Sequence, residues 1–244
     1  GGTLSLLWLL EGHRTNGRFY SGAGRYQKTH NMRTLVVIPA RSGSKGIRGK
    51  NWKEFAGKPL ILHTLEQAMR LFAKEDIVLS TDSNEVLDLA YQCGMSNIPL
   101  RPAELSQDGT SMQEVLLYEL SLRERKNENY DAILLLQPTS PLRIDEDIVR
   151  VLGTFNESMD MALTMCKTKH NPYSVILEEN EKGYLEKSKK HASVSRQTAP
   201  VVFLINGAVY LMSVNSLKSK KISDFEKVKG VEMPEIRSID IDTP

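Results

Sequence analysis

Cysteine is scarce in this chain: Cys93 and Cys166 are the only two among 244 residues. They lie far apart, with no His or Cys neighbour at metal-ligand spacing, so neither a disulfide framework nor a zinc site is expected. Both are read as core thiols, the common fate of free cysteine. Long apolar runs are also lacking. None approaches the roughly 18 residues needed to cross a bilayer, so the protein is expected to be soluble and cytoplasmic, with no membrane partner. A charge excess of one sign is missing as well, since 32 basic and 30 acidic residues leave a formal net charge of +2. Four of those bases and one acid fall in residues 1–31, which leaves 28 basic against 29 acidic residues beyond them. A body so balanced gives no electrostatic case for nucleic acid as a partner.

What remains is ordinary globular composition, 40% hydrophobic and 25% charged, in a length that suits one catalytic domain with a small accessory lobe. The stretch Leu4–Leu10 is apolar, but no basic region precedes it and no small-residue cleavage site follows. Patterning begins only at Met32. Residues 1–31 are therefore expected to be a non-native leader or translated upstream sequence, with a basic RNA-binding arm as the alternative.

From Thr34 to Ile38 the run is continuous and β-branched, as in a strand buried on both faces of a parallel sheet. Pro59 opens a segment in which Leu62, Leu65, Met69 and Phe72 recur at helical spacing. Ile77–Ser80 reads as the next strand, and Asp82 with Glu85 reads as the capping box of a helix ending near Gly94. A helix over 111–125, a strand over 132–136 and a helix over 145–155 continue the alternation, which points to an α/β domain with a mostly parallel, Rossmann-like sheet. Segments 161–165 and 208–212 look like strands. Between them, Lys167–Pro200 is polar and lacks helical period, and reads as an inserted lobe of residues 167–200.

The first strand runs directly into Pro39-Ala40-Arg41-Ser42-Gly43-Ser44-Lys45-Gly46-Ile47-Arg48-Gly49-Lys50-Asn51. Ligands of open α/β sheets bind at the carboxyl ends of strands, so this loop is well placed. Its glycines permit close backbone approach, and Arg41, Lys45 and Lys50 supply charge and donors, which suits a polyphosphate. It is not a Walker loop: five residues separate Gly43 from Gly49, and Asn51 stands where Ser or Thr would hold magnesium. At the other end of the chain, Asp240 and Asp242 alternate with Ile239 and Ile241. A strand there would put both carboxylates on one face, about 6.6 Å apart, where they suit Mg²⁺ shared with phosphate oxygens.

The loop strongly resembles the opening signature of the CMP-sialic acid synthetases, or acylneuraminate cytidylyltransferases. Arg101-Pro-Ala-Glu-Leu105, Leu136-Gln-Pro-Thr-Ser-Pro-Leu-Arg143, Arg196-Gln197, Asn206-Gly-Ala208 and Ser238-Ile-Asp-Ile-Asp-Thr243 resemble further motifs of that family, in order, over residues 32–244. The resemblance implies a glycosyltransferase-A-like nucleotidyltransferase fold that transfers CMP from CTP to the anomeric hydroxyl of a nine-carbon 2-keto-3-deoxy acid sugar. Arg41 and Lys50 would hold the triphosphate, and backbone groups of the first loop, at Ala40, Ser42, Gly43 and Ser44, would help to hold the base. Arg101 would serve the base, with Asn51 and Ser111 supporting the nucleotide; Ser111 equally suits a helix N-cap. Gln137 and Arg196 would bind the sugar, Arg196 through its carboxylate. Mg²⁺ would sit on Asp240 and Asp242, and Asp242 would help remove the hydroxyl proton.

The inserted lobe would form a homodimer. Ser174 departs from the family pattern, because a sialic acid branch places a lysine there. The acceptor could thus be legionaminic or pseudaminic acid instead. The chain also stops at Pro244, where the family continues into a short helix, so a truncation or a missing tail is expected. A cytidylyltransferase for the eight-carbon acid Kdo and a non-catalytic nucleotide-binding homologue are the remaining alternatives. The Gly-Ser-Lys-Gly loop fits the nine-carbon branch better.

Overall fold

The computed structural model describes residues 32–43, 46–189 and 199–242. Strand β1 (Thr34–Pro39) sends alternate side chains into two separate cores, Val36 and Ile38 into one and Leu35 and Val37 into the other. That is the period-two geometry of a strand covered on both faces. Strand β5 (Ala132–Leu136) divides the same way, Leu134 and Leu136 against Ile133 and Leu135. The first core is closed by Ile61 and Leu65 of helix α1 (Leu60–Leu71), Val86 of α2 (Asn84–Gln92), and Ile148 and Val151 of α4 (Asp145–Thr154). The second is closed by Leu116 and Leu120 of α3 (Met112–Glu124) and Leu217 of α5 (Val214–Ser219). The domain is a three-layer α/β/α stack.

Six strands form the central sheet. With β4 (Ile77–Ser80), β6 (Met161–Lys167), β9 (Phe203–Ser213) and β10 (Val228–Glu232), the order is β10-β6-β9-β5-β1-β4. All pairings are parallel except those of β9 with β5 and β6, so the expected mostly parallel sheet is present. Strand β10 was not anticipated. Its residues are exposed except Val231, as suits the edge of a sheet, so alternation is faint. A two-residue hairpin, β2 (Glu54–Phe55) with β3 (Lys58–Pro59), precedes α1.

One cap differs in detail from expectation, and another decides between two readings. Ser83, not Asp82, caps α2, its hydroxyl accepting the Val86 N–H at 3.3 Å; Asp82 faces the loop after β1 instead. Ser111 caps α3 in a reciprocal box with Glu114. Where β6 meets β9, the register slips between Leu163 and Met165. Thr164 Oγ1 fills the slip, donating to Asn206 Oδ1 at 2.7 Å and accepting the Val209 N–H at 3.0 Å. Gly207 turns the backbone there with φ +75°, a conformation that favours glycine.

Between β6 and β9 the chain forms a separate hairpin, β7 (Leu177–Glu179) with β8 (Leu185–Lys187), paired only with each other. Its surroundings expose Leu177, Tyr184, Leu185 and Val201, as well as Leu204 and Ile205 of the adjoining half of β9. The acidic segment at the chain's end corrects an expectation: Ser238–Asp242 is no strand. Beyond β10, Pro234 starts a short 3₁₀ turn (Glu235–Arg237), and the chain then crosses the carboxyl end of β5 with one backbone bond, Ile241 N–H to Thr139 O at 2.8 Å. Among the described residues no helix is long and apolar enough to cross a membrane.

Candidate active site

A cavity of about 440 Å³ opens at the carboxyl ends of β1 and β5, where the crevice of an open α/β sheet lies. Its first wall is the loop after β1. Ala40 extends the ladder beneath it, donating its N–H to Ser80 O at 2.8 Å and accepting the Thr81 hydroxyl at 2.6 Å. Ser42 gives both its N–H and its hydroxyl to the Asp82 carboxylate, at 2.7 and 2.8 Å. Gly43 is exposed, with open space where a Cβ would stand. The loop returns through Gly49, whose φ of +67° and proximity to Trp52 leave no room for a side chain: a Cβ would lie 2.5 Å from the indole. The 3₁₀ turn Lys50–Trp52 that follows buries Lys50 and Asn51. Asn51 Nδ2 donates to Arg41 O at 3.1 Å, which ties the two ends of the loop together. The Arg41 guanidinium reaches Asp108 at 2.9 Å.

The second wall follows β5. Gln137, Pro138 and Thr139 line the cavity, and their backbone is held by Arg143. That guanidinium is 5% exposed and donates to the carbonyls of Gln137 and Ala208 and to the Gln67 and Thr64 side chains. Burial pushes it down to about 10, and it still bonds as a cation at neutral pH. Gly207 lies beside this wall; a Cβ there would stand 3.4 Å from Gln137 Oε1. The β6–β9 bulge thus leaves the space that the Gln137 side chain uses, a common role for bulges beside sites.

The third wall is the C-terminal segment. Lys50 Nζ donates to Ile241 O at 2.7 Å and to Asp242 Oδ1 at 2.6 Å. That ammonium, first, holds the Asp242 carboxyl below its ordinary range. Asp240 is pushed up, chiefly by burial and further by the Asp242 charge. Two carboxyls close enough to shift each other, beside a cation, form a hard-oxygen donor pair. Among the described residues no group of three or more His, Cys, Asp or Glu could hold a metal. A site with two protein oxygens fits Mg²⁺, which keeps waters and phosphate oxygens as its other ligands.

The fourth wall holds Arg101 and Met112. Arg101 is 5% exposed, and its Nη2 has no hydrogen-bond partner among the described residues. Burial pushes it below its usual range, opposed by Asp82 and then Glu119.

The cavity therefore gathers Arg41, Lys50, Asn51, Arg101, Gln137 and Asp242 from the sequence-chosen residues. Ala40 and Ser42 lie under it as supports, Gly43 beside it, and Asp240 next to Asp242. Ser111 has its hydroxyl in the α3 cap. Ser44 and Arg196, like residues 1–31, lie outside the described residues. Sequence reasoning missed Asp82, Arg143 and Met112. Arg143 stood inside a quoted motif without a role, and Asp82 looked like a helix cap; Met112 carried no signal.

Residues 35–243 match the cytidylyltransferase family. The chain is 33% identical over 216 residues to the CMP-N,N′-diacetyllegionaminic acid synthase of Legionella pneumophila, covering 87% of this chain and 92% of that protein. It is 30% identical to the N-acylneuraminate cytidylyltransferase of Streptococcus agalactiae, of which it spans 51%, and 30% identical to the pseudaminic acid cytidylyltransferase of Campylobacter jejuni, of which it spans 72%. In three dimensions it resembles a CMP:2-keto-3-deoxy-manno-octonic acid synthetase complexed with CTP, at TM-score 0.61 and 19% identity, covering 87% of this chain and 94% of that one. Motifs, sheet order and relatives converge, and the chain belongs to the cytidylyltransferase family, on the branch of the CMP-sialic acid synthetases.

Proposed function

We propose that this enzyme joins CMP, taken from CTP, to the anomeric hydroxyl of a nine-carbon acid sugar of the sialic acid kind and releases pyrophosphate. The observation that carries it is the meeting in one cavity of Arg41, Lys50, Arg101 and Asp242, from three separated stretches of chain. CTP brings about four negative charges near neutral pH and the sugar another, so the site needs cations before it can bring the reactants together. Arg41 and Lys50 face the triphosphate. Arg101, with its spare donor, faces the base. Gln137, in the space left by Gly207, faces the sugar, and Arg196 is the partner for the sugar carboxylate.

In the reaction the anomeric oxygen attacks the α-phosphorus, the bond to the bridging oxygen breaks and pyrophosphate leaves. The hydroxyl proton passes to Asp242, which its neighbours keep ionised. Asp240 and Asp242 would hold Mg²⁺, which supplies charge neutralisation at the phosphoryl oxygens and favours the alkoxide. Lys50 pairs with Asp242 at 2.6 Å.

Among acceptors, N,N′-diacetyllegionaminate is favoured. The near full-length similarity to the Legionella protein supports it, as does Ser174 where a sialic acid branch has lysine. The lobe of residues 167–200 is the dimer contact, supported by the apolar side chains it leaves exposed. The test is pyrophosphate release from CTP and Mg²⁺ with purified N,N′-diacetyllegionaminate, acetylneuraminate, pseudaminate and Kdo. Selective turnover of legionaminate is expected. Faster turnover of another acid reassigns the acceptor, and silence with all four despite CTP binding defeats the catalytic reading.

A further inference from the structure

Beneath the cavity, the loop after β1 and the segment that carries Arg101 meet at one short stretch, Ser80-Thr81-Asp82, at the end of β4. The Ser80 carbonyl and Thr81 hydroxyl hold the two backbone groups of Ala40, and the Thr81 carbonyl accepts the Arg101 N–H at 2.7 Å. Backbone contacts of this kind set where both segments start. They do not set the turn at Ser42 or the guanidinium of Arg101, and each of those depends on Asp82.

At Ser42 the dependence is direct. Both donors of that residue end on the two oxygens of the Asp82 carboxylate, at 2.7 and 2.8 Å. Hydrogen bonds to an ionised acceptor are the strong ones, and this pair closes the loop immediately before Gly43. At Arg101 the dependence is electrostatic. The guanidinium is buried; its Nε donates to Ser106 Oγ at 3.2 Å, and Nη2 is buried without a hydrogen-bond partner among the described residues. A buried cation with few hydrogen bonds is held mainly by nearby opposite charge. The Arg101 N–H is fixed at 2.7 Å on the carbonyl of Thr81, the residue before Asp82, so the guanidinium lies in the field of that carboxylate, with Glu119 of α3 behind it. The capping of α2 does not claim Asp82, because Ser83 performs it.

We propose that Asp82 is a positioning residue for nucleotide recognition, one carboxylate that sets both the loop facing the triphosphate and the arginine facing the base. The inference rests on the reading of the cavity as a CTP site and adds to it a residue that touches neither ligand. It also makes a distinctive demand. The two ends of the nucleotide, recognised by separate segments, must lose precision together when Asp82 loses its charge.

The experiment uses the full chain with Asp82→Asn, Ser42→Ala and Arg101→Lys. One readout is inhibition by inorganic tripolyphosphate, which probes the loop end; the other is the ratio of kcat/KM for CTP over UTP, which probes the base end. Ser42→Ala should weaken tripolyphosphate alone, and Arg101→Lys should lower the CTP/UTP ratio alone. Asp82→Asn should do both, each by about fivefold or more, with kcat within about threefold of wild type, the pattern of lost binding rather than lost chemistry. An Asp82→Asn enzyme with either readout within about twofold of wild type overturns the proposal, since coupled loss is its content. So does a loss matched by a fall in active-site titre. Should Asp82→Asn fail to fold, Asp82→Glu keeps the charge and displaces it, and an unchanged CTP/UTP ratio in that variant is equally fatal. A wild-type protein that neither binds tripolyphosphate nor turns over CTP defeats the underlying nucleotide reading as well, which separates the two failures.

Discussion

Lys50 sits almost entirely out of solvent, yet its ammonium has carboxylate and carbonyl partners in the C-terminal segment. Replacing Asp242 by Asn leaves a neutral acceptor in the same place, so the fold survives while the charge and the proton acceptor are lost. Turnover should fall at least about a hundredfold, the scale of removing one strong electrostatic contributor, with the thermal midpoint little changed. Near wild-type pyrophosphate release would remove Asp242 from the chemistry. Gly49 presents the opposite case, a residue with no chemistry that the loop cannot replace. Gly49→Ala forces a Cβ into the Trp52 ring at positive φ, and should cost about 1–3 kcal/mol in urea unfolding. A loss below a few tenths would show that the loop relaxes freely. In the sequence the glycines of this loop suggest close approach to phosphate. The structure gives Gly49 a different reason, a neighbouring indole, and no spacing rule reveals that.

Helices and strands show where sequence patterns are sufficient. The strands at 34–38, 77–80 and 132–136 were legible because both faces are buried, so apolar runs are continuous there. The acidic segment reads as a strand, but alternation alone does not make a ladder; Ile239 is half exposed, and only one backbone bond, to Thr139, joins the segment to β5's end among the described residues. At the start of α3, Ser111 is engaged in the capping box. Ser111→Ala should cost about 1 kcal/mol of stability, read as a lowered unfolding midpoint. A rise in KM for CTP beyond about threefold would instead give its hydroxyl to the nucleotide. Before β6, Asp160 gathers the backbone N–H groups of Lys227 and Glu226, the Ser216 hydroxyl and the Lys220 ammonium. Those donors, the Lys227 N–H first, hold its carboxyl well below the ordinary carboxylate range. A carboxyl depressed in the folded state stabilises above its unfolded value and loses that contribution as pH falls through the folded one. Between about pH 5 and pH 3 the urea midpoint of wild type should therefore drop more steeply than that of Asp160→Asn. Parallel slopes would mean that other carboxylates set the acid limb.

At the scale of the molecule, the three-layer stack is ordinary for its composition, and the part that departs from it is the lobe between β6 and β9. Its sequence reads only as polar and aperiodic, because the hairpin packs few of its own side chains. The exposed apolar residues become visible only once the hairpin is formed. If two copies cover each other there, charges at Tyr184 and Leu185 should break the pair. Tyr184→Asp with Leu185→Asp should move the sedimenting species from dimer to monomer, with unchanged far-ultraviolet circular dichroism. A wild type already monomeric would dispose of the dimer. Lys50 and Asp242 stand 192 positions apart, so one wall of the site arrives just after the first strand and another only after the last strand of the sheet. Chain elongation can complete the sheet before it completes the catalyst. A nascent chain folding behind the ribosome therefore carries an unfinished site until Asp242 emerges, after every strand of the central sheet has been made.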